Sequence, residues 1–164
     1  MKPTPPHEIL GVTPENFADP WWRIQHLYRI VDDEGRESPF VPRTEQKNLY
    51  DNLWHKNLIL KSRQLGFTTF TDLLYLDQVL WAPNQNALII AHTLDDAAKI
   101  FRNKILGTYE RMPQALKDMA PLRNDKGNEL VFKNGSSIAV SVSGRGGTPQ
   151  ILHVSKAGKL ARSF

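Results

Sequence analysis

Apolar residues first gather in the chain between Trp21 and Val31. The stretch before them, punctuated by Pro3, Pro5, Pro6, Pro14 and Pro20, predicts an irregular lead-in over residues 1–20. Ile30-Val31 and Phe40-Val41 flank Asp32-Asp33-Glu34-Gly35, a turn signal that permits a hairpin, so residues 1–39 are expected to be an irregular segment with a hairpin. Thr44 stands where a helix cap belongs, with Glu45 in the first turn, Leu49 and Leu53 four apart, and an end near Trp54. The continuous triplet Leu58-Ile59-Leu60 predicts a short strand buried on both faces. From Thr68 to Trp81 the spacing of Leu73, Leu74 and Leu76 is helical, and Pro83 stops it.

Ala87–Ala91 predicts a second buried strand. Asp95 and Asp96 then open a helix carrying Ala98, Phe101, Ile105 and Tyr109, limited by Pro113. Glu129–Lys133 and Ser137–Val142 alternate around Asn134-Gly135, a strong hairpin signal. After the Gly144-Arg145-Gly146-Gly147 loop, Ile151–Val154 predicts a last strand. Two-sided apolar strands alternating with helices predict an α/β fold, a mostly parallel sheet flanked by helices. Only ten residues follow the last strand, so the domain is expected to be truncated.

Composition narrows this picture. At 164 residues the chain suits one domain, and without cysteine it has neither disulfides nor thiolate metal sites. No run approaches eighteen apolar residues and no signal peptide is visible, so the expectation is a cytoplasmic protein without a membrane partner. The net charge is +4 and unevenly placed. From Leu130 onward there is no acid, while Lys133, Arg145, Lys156, Lys159 and Arg162 are basic, leaving −1 for the first 129 residues. Such a segment fits a basic face for nucleic acid or phosphate. It equally fits a domain that lacks its acidic partners.

The segment Leu58–Thr69 carries the most chemistry. An apolar strand, a loop of about seven residues and a helix opening on a hydroxyl pair is the layout of a phosphate-binding P-loop. In that layout backbone N–H groups and a helix N-terminus face phosphate, and the hydroxyl reaches Mg²⁺. The standard pattern has Gly first and Lys just before the hydroxyl; here those places hold Lys61 and Phe67. The same residues also fit an ordinary strand-to-helix turn in which Gly66 supplies an unusual backbone conformation.

Lys61-Ser62-Arg63-Gln64-Leu65-Gly66-Phe67-Thr68-Thr69 resembles the variant Walker A loop of phage terminase large subunits, the DNA-packaging ATPases. The resemblance implies a P-loop NTPase-like fold in which residues 61–69 cradle ATP. Lys61 would neutralise the β/γ-phosphates, Gly66 would permit backbone approach, Thr68 would bind Mg²⁺, and Arg63 would act as an arginine finger. Phe40-Val41-Pro42-Arg43-Thr44-Glu45-Gln46 is similar to an adenine-recognising Q motif, making Gln46 a base-reading residue. Ser143–Ser155 is similar to the approach to Walker B. There Ser155 falls at the metal-side position, and Lys156 occupies the place of the catalytic glutamate. A charged lysine cannot take a proton from water and repels Mg²⁺, so hydrolysis is expected to be defective.

The resemblance covers residues 40–164 and implies a partial P-loop ATPase domain without the nuclease domain of the intact family. It also implies the family's partners: double-stranded DNA, a small terminase subunit, and a portal on the procapsid. Two other readings stay open, a non-catalytic nucleic-acid- or partner-binding module using the basic segment, and a helicase-like ATPase. The five histidines show no metal-ligand spacing, and His92 reads as a strand-end residue. Trp21, Trp22 and Trp54 read as packing aromatics.

Overall fold

A computed structural model of the chain describes residues 8, 11–32, 34–60, 66–144 and 148–156. The first helices with described bounds are two short ones, α1 (Pro14–Ala18) and α2 (Pro20–His26). Each begins with the same device. Thr13 Oγ1 accepts the Asn16 N–H at 3.2 Å, Asp19 Oδ1 accepts the Trp21 N–H at 2.9 Å, and a proline fills the first helical position. Proline there sacrifices an N–H that would have no partner, and its fixed φ already suits the helix. The lead-in is therefore ordered over residues 14–26, because these prolines start helices.

Strands β1 (Arg29–Val31) and β2 (Glu37–Pro39) form the expected hairpin, an antiparallel pair with Ile30 opposite Ser38. Helix α3 (Thr44–Asp51) follows, capped at Arg43 with Thr44 as its first residue. The long helix α4 (Phe67–Trp81) buries Phe70, Leu73, Leu76, Val79 and Leu80, and forms the spine of the core.

Strand β3 (Asn86–Ile90) leads into α5 (Leu94–Lys99), a π-helical stretch at Ile100–Leu106, and α6 (Gly107–Glu110). Ala97, Phe101, Ile105 and Tyr109 are all buried, whereas Ala98, expected in the core, is exposed. Apolar residues exactly four apart outrun the 3.6-residue α period. The wider turns of the π stretch bring them back to one face.

Helix α7 (Gln114–Met119) and strand β4 (Leu122–Asp125) precede β5 (Glu129–Phe132), β6 (Ser137–Ser141) and β7 (Ile151–Val154). Among the described residues the main sheet has five strands in the order β4-β5-β6-β3-β7. β3 is parallel to β6 and to β7, while β4-β5 and β5-β6 are antiparallel. The sheet is thus mixed, and the expectation of a mostly parallel one is corrected: the Asn134-Gly135 hairpin forces β5 against β6, and β4 repeats the reversal. Helix α4 packs on β3, β6 and β7. Ala87, Ile89, Ile138, Val140 and Ile151 are buried on one face, while Leu88, Ile90, Ala139, Leu152 and Val154 on the other are half-buried or exposed.

Leu58-Ile59-Leu60 forms no strand, and Leu58 and Leu60 are 82% and 88% exposed. The expected pairing of this triplet with Ile151–Val154 is absent, and β7 pairs through β3 alone among the described strands. Asn57 closes a turn on Trp54 through two hydrogen bonds, of 2.9 and 2.7 Å, and the chain enters the triplet from that turn. Three apolar residues are too few for pattern alone to fix a strand.

Candidate functional site

The carboxyl ends of β3 and β7 lie side by side, since the Ser155 N–H donates to Ile90 O at 2.9 Å. Beside them an open cleft of about 1580 Å³ is lined by Thr68 at the start of α4, by His92 and Asp96 after β3, and by Ser155 and Lys156 after β7. In open α/β sheets this is where ligands bind, outside the carboxyl ends of the strands. Exposed apolar groups, Trp54, Leu58 and Leu60, form one rim.

Lys61, Ser62, Arg63, Gln64 and Leu65 lie outside the described residues. The described end of the loop is Gly66, whose φ of +67° belongs to the left-handed region that favours glycine. A Cβ added there would lie 2.9 Å from Gln46 Nε2. The structure therefore packs together the two residues that the sequence motifs placed in one site. Gln46 is 2% exposed, and its Oε1 accepts the Arg43 N–H at 3.1 Å, an N-terminal cap on α3. The amide expected to read adenine thus braces the start of α3 and lies where a side chain at position 66 would have to go.

Phe67 is buried, and its carbonyl accepts a hydrogen bond from Thr71 Oγ1 at 2.8 Å. Thr68 and Thr69 are half-buried, and Thr68 lines the cleft. Ser155 is 8% exposed at the end of β7. Lys156 has a φ of +58°, uncommon for a residue with a side chain, and its Nζ donates to Asp96 Oδ2 at 2.8 Å. The lysine in the expected place of the catalytic glutamate is thus turned onto a carboxylate in the first turn of α5. Its hydrogen bond and charge hold the Asp96 carboxyl below the usual carboxylate range.

Two features here escaped the sequence. Asp72, one turn after Thr68 and fully buried, bonds His153 Nδ1 at 2.9 Å, joining α4 to β7, while its Oδ2 has no partner. Asp96 reads in sequence only as a first-turn helix acid, and strand order alone brings it to Lys156. The i,i+4 step from Thr68 puts Asp72 on the same side of α4, but no local signal pairs it with His153, and none pairs Asp96 with Lys156.

Thr68, Ser155 and Asp96 give the cleft oxygen donors of the hard type that Mg²⁺ prefers. Among the described residues no group of three or more His, Cys, Asp or Glu could hold a metal ion by itself. Mg²⁺ would fit here only with phosphate oxygens completing its shell.

The basic segment does not form one described face. Lys133 follows β5 beside the start of β6, whereas Lys156 follows the end of β7, which runs parallel through β3 to β6. The two lysines occupy opposite ends of the sheet, and Arg145, Lys159 and Arg162 lie outside the described residues. No helix among the described residues is long and apolar enough to cross a membrane. Compared with known proteins, the chain matches no family model and no curated protein.

Proposed function

We propose that this chain is the nucleotide-binding part of a terminase-type DNA-packaging ATPase, taking Mg²⁺-ATP in the cleft at the start of α4. The observation that carries the reading is the start of α4 at the left-handed Gly66, with Thr68 of its first turn lining the cleft beside the carboxyl ends of two parallel strands. A left-handed glycine lets the loop turn tightly into the helix, and the first turn of a fifteen-residue helix offers free N–H groups and a positive dipole end to phosphate. The sequence Lys61–Thr69 supplies the cationic loop residues.

In this reading Lys61 meets the β/γ-phosphates, Arg63 the γ-phosphate, and Thr68 with Ser155 the Mg²⁺ side. The chain sits in the host cytoplasm, and its partners are double-stranded DNA, a small terminase subunit and a portal. Hydrolysis is near background, because Lys156 is paired with Asp96 and cannot act as a base. General-base assistance is commonly worth about 10²–10⁴-fold in rate.

The test is titration with a fluorescent ATP analogue and Mg²⁺, for the chain and for Lys61→Ala. Saturable binding that weakens at least about tenfold in the variant supports the reading. Absence of binding, or binding indifferent to Lys61, overturns it. Salt-sensitive DNA binding without nucleotide affinity would favour a nucleic-acid-binding module instead.

A further inference from the structure

We propose that an aromatic pocket beside the second half of α4 is the base-binding compartment of the cleft, taking the purine ring of a nucleotide whose phosphates lie at the start of the helix. The inference rests on the nucleotide reading for its setting and says where the base goes. The pocket, of about 730 Å³, is lined by Phe17, Tyr50, Trp54, Tyr75 and Trp81. It shares Trp54, Leu74, Tyr75 and Gln78 with the cleft, so the two spaces are continuous. Thr68, Thr71, Tyr75 and Gln78 recur at helical spacing along one side of α4, and all four line the cleft. From Thr68 to Gln78 the helix rises about 15 Å, a length that an extended nucleoside triphosphate covers and a bare nucleoside does not.

Gln46, which the sequence motif offers as the base reader, is 2% exposed and caps the start of α3, so a base needs another place. Trp54, expected to be a packing aromatic, is instead 76% exposed, and a stacked ring would cover it. Its backbone is fixed by the two hydrogen bonds with Asn57. Ring contacts set other walls of the pocket, Phe17 on Trp81 at 5.0 Å and Tyr75 on His153 at 6.2 Å. Charge divides the two spaces. In the pocket Arg23 and Asp77 neutralise each other through two hydrogen bonds, which suits an uncharged ring. The described lining of the cleft carries four lysines against one carboxylate, which suits phosphates. The Gln78 amide, exposed where pocket and cleft meet, can both donate to and accept from a purine edge.

Calorimetric titration with ATP and with inorganic tripolyphosphate tests this, for the chain, Trp54→Ala and Trp54→Phe. Trp54 is exposed enough that neither change threatens the fold. Trp54→Ala should weaken ATP about tenfold or more, the common loss when one base-stacking ring is removed. Tripolyphosphate should stay within about twofold, and Trp54→Phe should keep most of the affinity for ATP. ATP binding unchanged in Trp54→Ala overturns the proposal while the nucleotide reading stands. Equal losses for the two ligands also overturn it, because Trp54 would then shape the cleft without meeting a base. Saturation-transfer NMR with adenosine alone needs no phosphate site, and transfer to the purine ring protons should fall in Trp54→Ala. Absence of ATP and tripolyphosphate binding in every form overturns the nucleotide reading, and adenosine then decides the pocket. In that case no transfer, or transfer indifferent to Trp54, overturns the proposal.

Discussion

The two ends of α4 each bury an aspartate, and they treat it in opposite ways. Near the C-terminal end, Asp77 receives Arg23 Nε at 2.9 Å, Arg23 Nη2 at 2.7 Å and the Tyr28 hydroxyl at 2.6 Å. Arg23 Nη1 reaches Phe17 O and Ala18 O, and Trp81 Nε1 donates to the Tyr28 oxygen. Near the N-terminal end, Asp72 has only His153, and its other oxygen is orphaned. The last carbonyls of the helix, at Val79, Leu80 and Ala82, are met by Asn134 Nδ2, and Ser136 Oγ also donates to Ala82 O. At the other end stand a left-handed lysine, exposed leucines and an open cleft. One end is a closed network, where each polar group has its partner. Unmet polar groups and strain are tolerated at the other, the usual mark of a surface kept for a ligand.

The largest test of this contrast is Asp77→Asn, which leaves the Arg23 guanidinium buried without its counter-charge. Breaking such a pair from one side costs about 3–5 kcal/mol, and urea denaturation should show a loss of that size. A loss below about 1 kcal/mol would mean that the network is not what ties α1 and α2 to the core. Gly66→Ala comes next, combining a left-handed backbone with a Cβ 2.9 Å from Gln46 Nε2. The backbone alone costs about 1–2 kcal/mol. Pairing the change with Gln46→Ala in a double-mutant cycle should relieve the contact and leave the backbone cost.

Asp72→Asn should cost less than about 1 kcal/mol, since the remaining oxygen keeps the bond to His153 and the charge removed has that one partner alone. The same denaturation series measures it, and a cost matching that of Asp77→Asn would erase the contrast. The smallest effect is in acid. Because the Asp96 carboxyl titrates below its ordinary value in the folded chain, its stabilising contribution is present above the unfolded carboxylate range and is lost as pH falls through the lowered folded value. Carbonyl NMR should follow Asp96 titrating low in the chain and nearer its usual range in Lys156→Gln.

The contrast also explains what the sequence could disclose. Helix α4, strand β3, the β5–β6 hairpin and β7 announce themselves through local signals: apolar spacing ended by Pro83, an unbroken apolar run, Asn-Gly between alternating segments. Helices α1 and α2 were hidden because Pro14 and Pro20 read as breakers unless Thr13 and Asp19 are seen as their caps. Helix α7 and strand β4 left little pattern; β4 is almost wholly exposed. Gln46 and Gly66 each belong to a local motif, and the family resemblance put both in one nucleotide site without setting them against each other. The pairs Asp72–His153 and Asp96–Lys156 were not legible, since each joins residues from distant parts of the chain and depends on which strand lies beside which.

The position of β3 has a consequence for the order in which the molecule can be built. It is flanked by β6 and β7, both of which come later in the chain. The Asn86 N–H finds its acceptor on Gln150, 64 residues further on. During synthesis β3, with its apolar run from Ala87 to Ile90, therefore emerges well before either strand that will pair with it. Helix α4, already made, is the earlier partner able to cover it, and it does pack on β3 in the finished fold. The edges of β3 must wait for distant partners, and such long-range pairing is slow to form. A ribosome paused between residues 90 and 137 would hold a helix and an unpaired strand, a stage at which a chaperone has most to protect.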